Sequence, residues 1–160
     1  MKKTIIGCLL TLMCCLCSAA ALDERAFDMI SISADEASED EQPGILHFNG
    51  HFLMQTNDWH LTSAVAVVYG SPDKPDRVLL EGSPARFFVD NTEQGEIEAT
   101  ATVVEYLRED NLLKLSGEAT LKLGKEIIRS ANIEYDISTN RYQAGGTEGV
   151  LIEVPPGNYH

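Results

Sequence analysis

The sequence predicts an all-β fold, and residues 97–135 give the clearest evidence for it. Within this stretch, residues 100–106 and 130–135 each lead from small residues through alternating apolar positions to a tyrosine, and a polar turn follows. Strict alternation over five or more residues is typical of strands with one solvated and one buried face. The Thr, Val, Ile and Tyr content of these runs favours strands over helices.

An internal repeat supports the same architecture. Residues 48–50 (FNG) are matched 67 residues later by residues 115–117 (LSG), and residues 63–64 (SA) are matched at the same offset by residues 130–131 (SA). The repeated unit is two strands and a turn, which is too short for a βαβ crossover. We therefore expect a meander of about a dozen strands that closes as a barrel or a two-layer roll.

Each expected strand is a short run with apolar alternation, bounded by turn residues. In chain order the expected strands are residues 26–32, 45–48, 51–55, 59–69, 78–81, 85–89, 97–106, 112–117, 130–135, 141–144 and 150–154. Residues 118–131 contain many helix formers, but Gly124 and the alternation of Leu121 with Leu123 favour strands there as well.

The expected connections follow the turn residues. They are the acidic loop at 33–44, a tight turn or bulge at 49–50, a loop at 70–77, a break at 82–84, an acidic loop at 90–96 and the glycine pair at 145–146. Pro84 fits a strand start or a bulge rather than a central ladder. Simple alternation along 59–69 places Leu61, Ser63, Val65, Val67 and Tyr69 on one face, although a one-residue slip in the repeat weakens that register.

Residues 1–21 have the pattern of a cleavable signal peptide, with Lys2 and Lys3, a short apolar run and three alanines at the end. The apolar run is too short to span a bilayer as a membrane anchor. Residues 22–160 then form one domain. All four cysteines lie in the leader, so the rest of the chain predicts no disulfide and no thiolate site.

The net charge of the chain limits the classes of partner that it is expected to bind. The formal net charge is −13, and loss of Lys2 and Lys3 with the leader would change it to −15. A nucleic-acid-binding protein needs a basic face, so we expect no nucleic-acid partner. Because the acidic residues are spread over several loops, solubility explains them better than a single acidic site.

The sequence gives little support for catalysis or metal binding. The sequence contains no nucleophile elbow, phosphate loop or dinucleotide fingerprint. His47 and His51 have the only metal-like spacing, but exposed strand histidines are the more common explanation. Pairs of carboxylates occur in loops, where solvated turn residues are expected more often than a glycosidase pair. We therefore predict no enzyme activity, no cofactor and no metal site.

The apolar face of the sheet is the remaining signal. Its inward side chains are expected to include Ile30, Ile32, Phe87, Val104, Tyr106, Ile133 and Tyr135. A wall of this kind either fills its own core or leaves a slot for an apolar ligand, in which each buried methylene contributes about 0.8 kcal/mol. The sequence pattern alone leaves both alternatives open.

Several segments together resemble the LptA/OstA family of periplasmic lipopolysaccharide-transport proteins. Residues 82–87 (GSPARF) are similar to the family's G-x-P-A-x-F segment, and residues 115–119 (LSGEA) to its L-T-G-x-A turn. Residues 133–135 (IEY) resemble its I-x-Y strand, and the segment that ends at Tyr106 resembles its middle strand. The matches follow the family order over nearly the whole chain after the leader.

The resemblance implies an open V-shaped β-jelly roll of roughly a dozen or more antiparallel strands, whose interior holds the acyl chains of lipid A. By position, Ile30, Ile32, Phe87 and Tyr106 would line the lipid slot. Strand parity and the internal repeat add Val104, Ile133 and Tyr135 to the slot. The expected function is therefore a non-enzymatic periplasmic lipid carrier that binds lipopolysaccharide and bridges its transport from the inner to the outer membrane.

The implied partners are lipopolysaccharide and jelly-roll proteins of the same family, anchored in the inner membrane or belonging to the outer-membrane translocon. Head-to-tail homo-oligomers are a further expectation, because unpaired edge strands invite strand addition. Two alternatives stay open: a structural adaptor of the same fold that joins neighbours without carrying lipid, and a carbohydrate-active enzyme on a jelly roll.

Overall fold

The computed structural model describes residues 29–92 and 95–156. Nine strands make up its described part: β1 (Ser31–Ser33), β2 (Glu36–Glu39), β3 (Ile45–Gln55), β4 (Trp59–Ser71), β5 (Lys74–Thr92), β6 (Gly95–Leu107), β7 (Leu112–Leu123), β8 (Glu126–Asp136) and β9 (Arg141–Glu153). No helix in these ranges is long and apolar enough to cross a membrane. The leader predicted at residues 1–21, and residues 26–28 of the first expected strand, lie outside the described residues.

The strands form one antiparallel sheet in the order β1-β3-β4-β5-β6-β7-β8-β9, and β2 pairs with the same edge of β3 as β1 does. The first and last strands do not pair with each other, so the described sheet stays open. The all-β, open, antiparallel fold is thereby confirmed, and closure into a barrel is excluded. Each connection from β3 to β9 is a short turn, as a meander requires.

Strands are fewer and longer than the sequence predicts, because the chain continues as one strand through residues 82–84 and 145–146, where breaks were expected. At 49–50 the structure has the bulge and not the tight turn. The acidic loop expected at 33–44 was also wrong in part, since β2 forms there and pairs with β3. Its composition gave no strand signal: all four residues of β2 are exposed, and backbone pairing alone holds it.

A line of β-bulges crosses the sheet. Between neighbouring strands the register shifts at 49–52 on β3, 62–65 on β4, 81–85 on β5, 100–103 on β6, 116–119 on β7 and 130–132 on β8. A bulge bends its strand and increases the local twist. Because the bulges lie side by side, the whole sheet bends at this line, and its two halves pack face to face as two layers.

The pattern of buried residues follows the bend. On β4 the buried positions are Leu61 and Ser63 before the bulge, but Ala66 and Val68 after it. The bulge inserts a residue into β4, so the inward face of this strand changes from odd to even numbers. The expectation that Val65, Val67 and Tyr69 share the face of Leu61 was therefore wrong, since those three alternate with the buried positions on the opposite face.

The internal repeat marks two of these bulges. Gly50 and His51 have φ values of 74° and 46°, and Gly117 and Glu118 have values of 79° and 49°. Positive φ is readily adopted by glycine and rarely by other residues. The two FNG-like segments therefore build the same bulge twice, on β3 and on β7.

We expect Gly117→Ala to lower the free energy of unfolding by about 2 kcal/mol. The new Cβ would need positive φ and would lie 2.8 Å from Thr102 Oγ1. The matched control is Gly145→Ala, because a Cβ at Gly145 meets no atom within 4 Å. Urea denaturation of both variants measures the difference, and equal losses of stability in the two would contradict this account of the bulge.

Candidate functional site

A cavity of about 310 Å³ lies between the two layers. Its apolar lining comes from inward positions of both layers: Ile30, Met54, Trp59, Leu61, Pro75, Val78, Phe87, Val89, Tyr106 and Ile137. On one layer Leu61 pairs with Phe87 across β4 and β5, and on the other Val78 pairs with Tyr106 across β5 and β6. The bend in the sheet is what brings these two pairs to a common space.

The polar lining of the cavity comes from the turns at one end of the sheet. Asp73 lies in the β4–β5 turn and Lys74 begins β5, and Arg108 and Asn111 belong to the β6–β7 turn. Amide and charged side chains lie there because turns are the solvated ends of a strand pair. The cavity is thus apolar along the strands and polar at its turn end.

Hydrogen bonds join the turns around this polar end. The guanidinium of Arg108 donates from Nε to the backbone oxygen of Pro75 at 3.0 Å and from Nη2 to Oδ1 of Asp76 at 2.6 Å. The backbone N–H of Ile137 donates to the backbone oxygen of Asn111 at 2.9 Å, which attaches the β8–β9 turn. Three neighbouring turns are therefore held in fixed positions around the rim.

The β8–β9 turn is held by Asp136. Its Oδ1 accepts hydrogen bonds from the Ser138 hydroxyl at 2.6 Å and from the backbone N–H groups of Ser138 and Thr139 at 2.9 and 3.0 Å. The hydroxyls of Ser138 and Thr139 are the largest causes that lower the pKa of Asp136 to about 2. This turn positions Ile137 at the cavity.

Comparison with known proteins identifies the family. The family model described as "LptA/(LptD N-terminal domain) LPS transport protein" matches residues 31–141. The chain belongs to this family. The match includes β3 to β6, the strands that supply most of the cavity lining. The family is one of lipopolysaccharide-transport proteins and not an enzyme family.

A solved structure agrees with the fold of this LptA-family chain. It is LptH of Pseudomonas aeruginosa, described as the LptA homologous periplasmic component of the conserved lipopolysaccharide transport device. The TM-score is 0.72 at 18% sequence identity, over 81% of this chain and 96% of LptH. At that identity the likeness shows the fold, an LptA-like β-jelly roll. No curated protein matches the chain.

The structure divides the predicted slot residues of the LptA-family domain into two groups. Ile30, Phe87 and Tyr106 line the cavity, and Ile32 packs beside it against the core, paired with Met54. The other three, Val104, Ile133 and Tyr135, are 0–1% exposed and belong to the filled core rather than to the cavity lining.

Sequence reasoning missed several lining residues. Trp59 and Leu61 lie in an expected strand, and alternation placed Leu61 on one face with Ser63, but neither residue was included in the predicted lining. Ile137 lies in a turn, where alternation carries no information. Arg108 was assigned only to a turn, and the ion pair that fixes it joins residues far apart in sequence.

Two tyrosines of the sheet, Tyr106 and Tyr135, have a raised pKa. Burial raises the pKa of Tyr106, and the nearby positive charge of Arg108 offsets part of the increase. Burial also raises the pKa of Tyr135, with a further contribution from the negative charge of Asp136. Tyr135 donates its hydroxyl hydrogen to Oδ1 of Asn140 at 2.7 Å, so its polar end is satisfied inside the molecule.

The two histidines with metal-like spacing bind different partners. Nε2 of His47 lies 2.9 Å from Oδ2 of Asp40, and Nδ1 of His51 lies 2.7 Å from Oδ2 of Asp35. The hydrogen bond from the backbone N–H of Gln42 lowers the pKa of Asp40, and the hydrogen bond with the His47 side chain lowers it further. Among the described residues, no three His, Cys, Asp or Glu side chains form a group that could hold a metal ion.

The last strand leaves apolar side chains in solvent. Val150, Leu151 and Ile152 on β9, followed by Val154, are 44–67% exposed. Within the described sheet, β9 pairs only with β8, so its other backbone edge has no strand beside it. An apolar edge strand of this kind is a surface for strand addition.

Proposed function

We propose that this chain is a periplasmic carrier that holds acyl chains of lipopolysaccharide in the cavity between its two layers. The main support is the cavity itself, which is apolar along the strands and polar only at the turn end. Transfer of acyl chains from water to such a space is favourable by about 25 cal/mol per Å² of apolar surface buried. Ile30, Phe87 and Tyr106 line this site, and Ile32 supports it.

The chemistry of the lining suits the binding of an apolar group. Asp73 is the only carboxylate among the residues that line the described cavity, so the paired carboxylates of a glycosidase are missing there. A carrier needs no reacting group, since differential affinity between successive sites is enough to move its cargo. We therefore assign no catalytic residue.

The proposal includes a periplasmic location and partners of the same family. The signal peptide expected at residues 1–21 would direct the chain to the periplasm, where LptH also acts according to its description. The proposed partners are jelly-roll proteins of the same family at the inner and outer membranes, with a head-to-tail homo-oligomer as a further possibility. The exposed β9 edge supports this role, because it offers backbone groups and apolar side chains together.

The same edge favours a second candidate function, a structural adaptor that joins envelope proteins without carrying lipid. Native mass spectrometry of the mature protein, purified from its own periplasm without detergent, separates the two. We expect a bound species with the mass of lipopolysaccharide or lipid A. A bare protein that also takes up no added lipopolysaccharide would contradict the carrier function and leave the adaptor.

A further inference from the structure

β2 lies at the edge of the described sheet and takes no part in the core. All four of its residues are exposed, and among the described strands it pairs only with β3. Residues 36–39 run antiparallel to residues 46–49 of β3. Because β2 is the outermost strand there, it covers a backbone edge of β3 that would otherwise be open to strand addition.

A histidine–aspartate pair lies at each end of β2. Just before the strand begins, Oδ2 of Asp35 lies 2.7 Å from Nδ1 of His51. Just after it ends, Oδ2 of Asp40 lies 2.9 Å from Nε2 of His47. The backbone N–H groups of both aspartates also donate to backbone oxygens of β3, each at 2.9 Å. The two aspartates therefore attach the ends of β2 to β3 through side-chain and backbone contacts together.

The charges around β2 are mostly negative. Residues 35–41 (DEASEDE) contain five carboxylates, and residues 26–73 contain no lysine or arginine. The side chains of this part of the chain that can become positive are three histidines. One of them, His60, stacks its ring on a phenylalanine of β5. His47 and His51 are therefore the groups in this part of the chain that can offset the carboxylates of β2.

The neighbouring strands add no cation to the two pairs. Among the described residues, no lysine or arginine forms an ion pair with residues 35–41. Residues 63–65, the part of β4 opposite the bulge that contains His51, carry no charge. The other titratable groups on the outer face of His47 are Glu36 on β2, Tyr69 on β4, and Glu81 and Arg77 on β5, where Arg77 is paired with Glu105.

We propose that β2 is a pH-dependent cover of the β3 edge, held closed when His47 and His51 are protonated and loosened when they are neutral. A histidine side chain ordinarily loses its proton near about pH 6.5. Below that pH each contact is an ion pair, and above it each carboxylate faces a neutral imidazole while the five carboxylates still repel one another. The closed form is therefore favoured as the pH falls from 8 to 5.5.

This acid-side preference has a lower limit, because carboxylates themselves become protonated near about pH 4. The pKa of Asp40 is lowered, first by the hydrogen bond from the backbone N–H of Gln42 and then by the hydrogen bond with His47, so this carboxyl keeps its charge further into acid. The inference goes beyond the proposed function, since it does not depend on what the cavity holds.

The expected effect is modest because the pairs are exposed to solvent. The side chains of His51 and Asp35 are 90% and 60% exposed. Exposed ion pairs each shift an equilibrium by a factor of about 1.4 to 5, so the two pairs together are expected to shift the opening of β2 by about fivefold.

The test is amide hydrogen exchange of the mature protein, measured by NMR from pH 5.5 to pH 8 and divided by the exchange rate of an unstructured peptide at each pH. We expect the protection of residues 36–39 and 46–49 to be about fivefold higher at pH 5.5 than at pH 8. The internal control is β1, which pairs with residues 53–55 on the same edge of β3. Equal changes in β1 and β2 would overturn the proposal.

Matched variants assign the effect to the two pairs. His47→Gln combined with His51→Asn removes both titrating groups, and asparagine tolerates the φ of 46° at position 51. This double variant is expected to lose the pH dependence of β2, whereas His60→Gln is expected to keep it. A pH dependence that persists in the double variant, or that disappears in His60→Gln, would refute the assignment.

A second measurement covers the case in which the double variant does not fold. In about 1 M sodium chloride the Debye length falls to about 3 Å, so exposed ion pairs are screened. The difference in protection between pH 5.5 and pH 8 in the unmodified protein is then expected to shrink to less than about twofold. A difference that salt leaves unchanged would mean that the ion pairs do not hold β2.

Discussion

Replacement of Ile30 by aspartate is expected to weaken acyl-chain binding by about a hundredfold or more. Ile30 lines the cavity just before β1 begins, so it takes no part in the strand pairing that holds the sheet. A carboxylate at this position would have to lose its hydration when an acyl chain entered the cavity. The fold should tolerate the change better than one at Phe87, which is 6% exposed inside β5.

Met29→Asp is the matched control for this variant. Met29 is the neighbouring residue and is 84% exposed, so the same charge change is placed in solvent. Titration of both variants with dodecyl maltoside or lipopolysaccharide gives the comparison, and thermal unfolding shows whether both remain folded. Equal affinity in the two variants would mean that the cavity at Ile30 does not hold the acyl chain.

Replacement of Tyr135 by alanine is expected to lower the free energy of unfolding by about 4 kcal/mol. Tyr135 lies on β8 and is fully buried, and its register partners are Leu113 on β7 and Tyr142 on β9. Loss of the ring leaves a cavity in the filled part of the interior. Urea denaturation followed by circular dichroism measures the effect.

Tyr135→Phe is the companion variant, because it keeps the ring and removes only the hydrogen bond to Asn140. Its expected cost is about 1 kcal/mol. Acyl-chain binding should be unchanged in both variants under conditions where they are folded. A Tyr135→Ala protein that kept its stability and lost lipid binding would instead place Tyr135 in the slot, as its strand parity first indicated.

Alternation predicted strands β3 to β8 well because one face of each of these strands is buried. It predicted the inward positions that follow the bulge on β6 and on β8, but failed on β4, where a bulge inserts a residue and moves Val65, Val67 and Tyr69 to the outer face. The repeated SA and FNG-like segments lie at the bulges, but bulges and turns favour the same residue types, so the sequence did not distinguish them. This explains why three bulged strands were each divided in two.

The cavity was harder to predict than the fold. The alternation of the strands predicts that Tyr106 and Tyr135 both point inward. Tyr106 lines the cavity and Tyr135 is buried in the core, and this difference depends on how closely the opposite layer approaches each of them. Ile137 and Arg108 reach the site from turns, which have no period. β2 was also not predicted, because backbone pairing holds it and its four exposed residues show no apolar alternation.

The order of the strands also has a consequence for how the chain reaches this structure. From β3 to β9 every described strand pairs with the strands just before and after it in the chain, through short turns such as those between β4 and β5 or β7 and β8. Each pairing closes a small loop at a small entropic cost, so the sheet can grow by adding one hairpin after another. With no cysteine after Cys17, this local growth replaces the covalent cross-links on which many exported domains depend, and folding needs neither an oxidant nor a disulfide isomerase.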